Sequence, residues 1–376
     1  MRFRICCGSF ALFLWLGALP ARADERTEQG PTDQLQQAIE RGVAILQKGA
    51  RTYPTNRECF ACHHQTLPLL GMTAARDAGV AIDDALPATV LEFVQGSFRD
   101  RIDQLKAGEG IGGKGLTVGY GLWTLKLGNS SPDDLTEAMV EYLFKLQQPD
   151  GHWSLHSIRP PAEESLVMCT VVAANGIKSF ATAAQRESAT VALNKTRAWL
   201  ATATIDSHED RVARLWGLSL LGGDTDEQLV AARQVLLATQ HEDGGWSQTA
   251  DMSPDAYATA TALYVLQATD NASGGIRSGQ RQEPAAASKL EGGTNRCEES
   301  AKEQAGVASA PLARGIDWLL KHQEGDGSWH VVTRAKPVQE YFDNGDPHGK
   351  DQFISIAATG WATAVLARSV PEGLSQ

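Results

Sequence analysis

Gln240-His241-Glu242-Asp243-Gly244-Gly245-Trp246 is the stretch that decides the fold. It reads Q-x-x-D-G-x-W, and the same string returns at Gln147, Asp150, Gly151 and Trp153, and again at Gln323, Asp326, Gly327 and Trp329. Each copy follows an amphipathic stretch and precedes an apolar, Ala-rich one. A short pattern repeated in that setting is the punctuation of a tandem array of helical hairpins. The residue types suit a turn: Gly takes a positive φ after a helix end, Asp accepts nearby backbone N–H groups, and Trp covers the hairpin while its indole N–H finds an acceptor.

Working outward, six hairpins can be counted, three with the turn and three without. The first has Leu35, Ala38, Ile39, Gly42 and Leu46 at helical spacing, a loop over Arg51–Gln65, and a second helix from Leu67 to about Ala78. The second pairs Pro87–Leu105 with Leu116–Leu127 across the Gly-rich loop Gly108–Gly115. The third opens with Ser131 as N-cap, Pro132 at the first helical position and Asp133 and Asp134 in the first turn; its partner spans about Ser165–Lys178. The fourth joins Ala189–Thr202 to Asp210–Leu221, the fifth Glu227–Thr239 to Asp255–Ala268, and the sixth Leu312–His322 to Ile354–Ser369. The first helix of each pair is amphipathic, whereas the second is rich in Ala, Gly and Thr and poor in charge. That asymmetry predicts two concentric rings, with the apolar helices inside. The expected fold is therefore all-α, an α/α toroid of about six hairpins, in one domain over 24–376.

Composition agrees with a water-soluble chain: of 376 residues, 42% are hydrophobic and 21% charged. Arg2 and Arg4 precede an apolar run from Ile5 to Leu19, and Ala21-Arg22-Ala23 offers a cleavage site, so 1–23 reads as a secretory signal. The expected location is periplasmic or secreted, with no membrane span once the signal is removed. Cleavage removes three arginines and takes the formal charge from -11 to -14. Such an acidic protein is a poor partner for nucleic acid or anionic membrane. Cys6 and Cys7 leave with the signal; Cys59, Cys62, Cys169 and Cys297 remain, with Cys169 in an apolar helix as a small core residue. The segment 270–309 is polar, nearly free of large apolar residues, and reads as a disordered insertion.

These residues resemble the α/α-toroid superfamily of squalene–hopene cyclases and protein prenyltransferase β subunits. The Q-x-x-D-G-x-W turns look like the QW repeats of the cyclases, and Ser253-Pro254-Asp255-Ala256-Tyr257-Ala258-Thr259-Ala260-Thr261-Ala262-Leu263 looks like their inner-helix start. The resemblance implies the toroid fold and an apolar, isoprenoid-like ligand. Bacterial cyclases protonate an alkene with the central acid of D-x-D-D, but this chain reads Asp255-Ala256-Tyr257-Ala258 there. Asp255 and Tyr257 are thus weak catalytic candidates, and Asp255 doubles as a helix cap. The zinc-binding His of the prenyltransferases is matched by Ala258, and no Cys lies near Asp255.

One cluster carries reactive chemistry: Cys59-Phe60-Ala61-Cys62-His63-His64-Gln65, just before the first inner helix and so at a barrel mouth. C-x-x-C-H in an exported chain is the attachment string of c-type haem, with Cys59 and Cys62 as thioether positions and His63 as axial ligand to the iron. His64, Met72, His208 and His348 are candidates for a sixth ligand; the electron-transfer partner is unknown. Three other readings stand beside it: a Cys59–Cys62 disulfide, a structural zinc site, and, by likeness to complement-type thioester toroids, a thioester between Cys62 and Gln65. No nucleotide cofactor is indicated. Tyr120, Trp123, Trp216, Tyr264 and Trp361 fall on inner helices as candidates to line an apolar cavity. Glu163-Glu164 and His208-Glu209-Asp210 occupy mouth positions like that of Asp255, and the long loop Arg334–Asp351, with Tyr341 and Phe342, is placed to cover the opening. The non-enzymatic alternative is a binding or interaction module with a structural C-x-x-C; the enzymatic one is a divergent cyclase with an unrecognised acid.

Overall fold

The computed structural model describes residues 30–222, 227–272, 310–337 and 340–371. The signal reading over 1–23, Cys297 and nearly all of the expected insertion lie outside the described residues. Six hairpins follow one another: α1 (Pro31–Asn56) with α2 (Thr66–Asp77), α3 (Leu86–Arg99) and α4 (Ile102–Ala107) with α5 (Lys114–Leu127), and α6 (Asp134–Leu146) with α7 (Leu166–Phe180). Then come α8 (Arg186–Thr202) with α9 (His208–Leu221), α10 (Glu227–Leu237) with α11 (Ala256–Ala272), and α12 (310–321) with α13 (Gln352–Arg368).

The second helices form the inner ring. In order, α2, α5, α7, α9, α11 and α13 each pack on the next, and α13 returns to α2. Most are buried on nearly every side, and α13 is covered without a break from Ile354 to Ala367, whereas α9 keeps a partly open face at Arg211 and Arg214. The outer helices bury one stripe, as in Leu86, Val90, Val94 and Phe98 of α3. Small residues let inner helices approach closely: a Cβ on Gly360 of α13 would meet the Leu67 carbonyl of α2 at 2.5 Å. The chain is an α/α toroid, as expected, and no helix among the described residues is long and apolar enough to cross a membrane.

The three turns are built alike. The indole N–H of Trp153, Trp246 and Trp329 donates to the carbonyl of Leu143, Leu236 and Leu319 at 2.8, 3.0 and 2.9 Å, and all three rings are fully buried. The side-chain amide of the leading Gln donates twice, once across its own turn and once to the next outer helix. Gln147 reaches Gly151 and Ala192 of α8, Gln240 reaches Gly244 and Pro311 of α12, and Gln323 reaches Gly327 and Ala38 of α1. The third copy thereby joins the last hairpin to the first. Each turn Gly has a positive φ, 110°, 98° and 96° in order. An added Cβ would strike the Lys195, Arg314 or Arg41 carbonyl at 2.4, 2.6 and 2.7 Å.

Several boundaries differ from expectation. Helix α1 runs on through Asn56 instead of ending near Arg51, carrying Pro54 within its last turns. The N-cap of α6 is Asp133, not Ser131, because Asp133 and Thr136 exchange side-chain and backbone hydrogen bonds in a capping box. The outer helix of the second hairpin breaks at Asp100–Arg101, and its short second part, α4, packs on α6. Asp270–Ala272 are helical, not part of the insertion, and Asp270 forms an ion pair with Arg233.

Gly244→Ala should destabilise the protein by about 2–4 kcal/mol, the combined effect of left-handed strain and a backbone clash. Gly325→Ala, where an added Cβ meets nothing within 4 Å, should change stability by less than about 0.5 kcal/mol. Urea denaturation of the two variants measures the difference.

Candidate functional site

The extra turns of α1 place Tyr53 beside the Cys59–Gln65 segment. That segment folds as a compact turn: Ala61 accepts from the N–H groups of His64 and Gln65 at 3.1 and 3.0 Å, Cys62 accepts from Leu67 N–H at 3.0 Å, and Gln65 Oε1 accepts from Ala61 N–H at 2.7 Å. Cys59 is exposed and Cys62 half-buried, and both are free thiols, so the structure contains no Cys59–Cys62 bridge. Burial pushes the Cys62 thiol up to about 12, with Glu163 adding to the effect. Among the described residues no three His, Cys, Asp or Glu side chains converge on a metal-binding point.

The two histidines behave differently. His64 is fully buried, stacks on Tyr53 at 4.8 Å, and donates Nε2–H to Asp346 Oδ2 at 2.7 Å. Burial holds its pKa below the ordinary value, against the pull of Asp346. Asp346 is itself held by Asn344 Nδ2 at 2.8 Å, so the loop before α13 fixes His64. His63 has ring contacts with Tyr53, His64 and Phe353 at 6.2, 4.9 and 5.2 Å, and no hydrogen bond to its side chain is seen among the described residues. Burial depresses its pKa well below the ordinary value, which keeps the ring neutral and able to ligate.

None of the sixth-ligand candidates stands free. His64 is held by Asp346; Met72 is fully buried in α2; His208 donates to the Ala258 carbonyl at 2.9 Å; His348 bonds Ser328 and stacks on His330 at 4.4 Å.

Asp255 and the second acid cluster share this end of the ring, at the N-termini of the inner helices. Asp255 Oδ1 accepts from Ala258 N–H at 3.0 Å and so caps α11. Tyr257 is buried and donates its hydroxyl to Glu209 Oε1 at 3.1 Å, while Glu209 Oε2 is buried with no partner. Desolvation drives Glu209 up to about 8 in spite of the Tyr257 bond, with Glu164, Asp210 and Asp255 pushing the same way. Arg334 spans this mouth from the α13 side. It forks onto both oxygens of Glu164, before α7, at 3.3 and 3.1 Å and reaches Gln248, before α11, at 2.9 Å. Cys169 is a buried core thiol, as expected.

The aromatic candidates do not line an open centre; they fill it. Trp123 contacts Tyr120, Trp216 and Trp361 at 5.7, 4.9 and 5.6 Å, and Tyr264 meets Trp361 at 4.8 Å. A cavity of about 610 Å³ lies at the other end, where the inner helices finish, and Trp123, Trp216 and Tyr264 are part of its wall. The sequence did not single out Tyr53 or Asp346. Glu209 and Arg334 were visible only as members of polar runs; nothing local marks which acid is buried.

No family model matches the chain, and no curated protein does. Among solved structures it is similar to a variant of the type II terpene cyclase MstE from Scytonema in complex with its product merosterolic acid A, with a TM-score of 0.52 and 18% identity over 90% of this chain and 98% of that one. It is also similar to a glycosidase in complex with glucose, with a TM-score of 0.54 and 13% identity over 90% and 97%, and to a protein from Actinoplanes, with a TM-score of 0.51 and 14% identity over 90% and 100%. At these identities the likeness shows the α/α toroid, which hosts more than one chemistry.

Glu209 generates a pH prediction. Its unfolded carboxyl titrates near 4.3 and its folded one near 8. Between these values the unfolded chain releases a proton that the native protein keeps, so stability falls as pH rises. Glu209→Gln preserves an acceptor for Tyr257 and removes that slope. The variant should gain on the order of 5 kcal/mol relative to the parent on going from pH 4 to pH 9, read from denaturation midpoints at the two pH values.

Proposed function

We propose that this chain is an exported toroid that binds an apolar, isoprenoid-like molecule and carries covalent c-type haem at one mouth, through Cys59, Cys62 and His63. The observation that carries the reading is the state of that triplet: two unbridged thiols and a neutral imidazole with no side-chain hydrogen bond among the described residues, side by side at the ring's rim. These are the residue states that thioether attachment and axial ligation require. When bound, the group would supply one-electron chemistry. The protein's own part is to hold the segment: Gln65 fixes the turn through Ala61, and Tyr53 and Phe353 wall the His63 ring. The ligand half of the reading rests on the family resemblance and on the aromatic-walled cavity at the opposite end.

Co-expression with export and haem-maturation machinery should give an intact mass raised by one haem and a Soret band, both lost in Cys59→Ser/Cys62→Ser. A shift of the Soret band in His63→Ala, with the added mass retained, would identify the axial ligand. The plain reduced mass with no Soret band would sink the haem half of the proposal. A mass short by one ammonia would instead favour the Cys62–Gln65 thioester, whose formation would discard the buried, unpartnered Gln65 Nε2.

A divergent cyclase remains the second reading, on the strength of one group. Glu209 is a buried carboxylic acid that stays protonated near neutral pH, beside a phenol and at the inner-helix N-termini. A proton donor of that kind meets the first requirement for starting cyclisation on an alkene. Incubation with squalene should then yield a cyclic product with the parent protein and none with Glu209→Gln. Product from both proteins, or from neither, excludes Glu209 as the initiating acid.

A further inference from the structure

We propose that the cavity at the C-terminal ends of the inner helices binds a small molecule with an apolar body and an anionic oxygen head, a carboxylate or a phosphate. The proposal rests on the ligand-binding reading above and adds to it a place and a head-group chemistry. At about 610 Å³ the space suits a small-molecule ligand. Trp123, Trp216, Tyr264 and Leu70 supply apolar wall, and the tight packing of Trp123 on Trp361 closes the far side.

The polar groups of the wall are mostly donors. Lys126 Nζ donates to Asn175 Oδ1 at 3.1 Å, which leaves Asn175 Nδ2 buried with nothing to donate to. An idle buried donor of this kind is uncommon and destabilising. Arg368 lies over the Tyr264 ring, 4.0 Å from its centroid, and donates to its hydroxyl at 2.9 Å. Neither Lys126 nor Arg368 has a carboxylate partner among the described residues. Asp77, the acid of the wall, is 3.7 Å from Arg76. Burial and the neighbouring Lys178 lower the Lys126 pKa, as expected of a cation lacking its counter-ion.

Basic residues in last turns have a simpler use, since they complement the carbonyls at helix C-termini. Lys178 serves it, donating to the Leu220 carbonyl. Lys126 turns instead to the amide of Asn175 in the cavity wall, and capping accounts neither for the idle Nδ2 nor for the aromatic wall. An oxygen anion in this space would meet two wall cations without carboxylate partners among the described residues, Lys126 and Arg368, and could take charge-assisted hydrogen bonds from them.

Retinoic acid and retinol separate the head from the body, because both accept energy from tryptophan and Trp123 and Trp216 line the cavity. Titrated into the mature protein at neutral pH, retinoic acid should bind about tenfold more tightly than retinol. Lys126→Gln/Arg368→Gln alters two exposed side chains and should abolish that preference, bringing the two affinities within about twofold of each other. Dodecanoate and dodecyl phosphate should each displace retinoic acid, and the one effective at lower concentration names the head. Equal affinities for the two retinoids, a preference that survives the double substitution, or no displacement by either dodecyl anion overturns the head-group inference alone. Failure of both retinoids to bind overturns the inference together with the apolar-ligand reading beneath it.

Discussion

The ring depends on a primary amide that donates twice. In Gln147, Gln240 and Gln323 one N–H closes the turn and the other ties the neighbouring outer helix, with donor–acceptor distances between 2.8 and 3.0 Å. Glu offers no donor, and Asn is a methylene short. The glycine beneath it is equally constrained, because the next helix's backbone stands where a Cβ would go. One hydrogen bond of this kind contributes only about 0.5–1.5 kcal/mol net. Its weight lies in position: the copy at Gln323 joins α12 to α1 in the outer ring, across the seam that α13 and α2 close in the inner ring.

These same residues made the fold legible. The turn repeats in sequence, and the alternation of amphipathic and all-apolar helices assigns the layers without reference to distant contacts. What failed was local competition and long-range pairing. Ser131 and Pro132 have good capping chemistry, yet Asp133 wins because Thr136 returns its bond. Arg334 crosses the mouth to Glu164, 170 positions away in the chain, and no periodicity records such a partner. Glu209 sits next to Asp210 in one capping sequence. Asp210 completes a capping box with Ser207, while Glu209 faces inward and is 1% exposed, a division set by helix phase relative to the ring.

The two ends of the toroid differ because six parallel inner helices present opposite partial charges to them. Acids collect at the N-terminal end, at Glu163, Glu164, Glu209, Asp210 and Asp255. Bases collect in the final turns, at Arg76, Lys126, Lys178 and Arg368. The favourable helix-end field does not keep every acid ionised. Arg334 and Arg159 pair with Glu164 and Glu163, but the buried Glu209 has a phenol for company and no cation partner among the described residues, and desolvation prevails.

Between the ends stands the aromatic column of Tyr120, Trp123, Trp216, Trp361 and Tyr264. Tyr120, Trp123 and Trp361 are at most 4% exposed. A molecule in the lower cavity therefore touches Trp123, Trp216 and Tyr264 but none of Cys62, His63 or Glu209. Direct contact with the upper mouth would require the column to part, at the loss of several packed aromatic pairs worth about 0.5–1.5 kcal/mol each beyond their burial. The two ends are therefore chemically separate in this conformation.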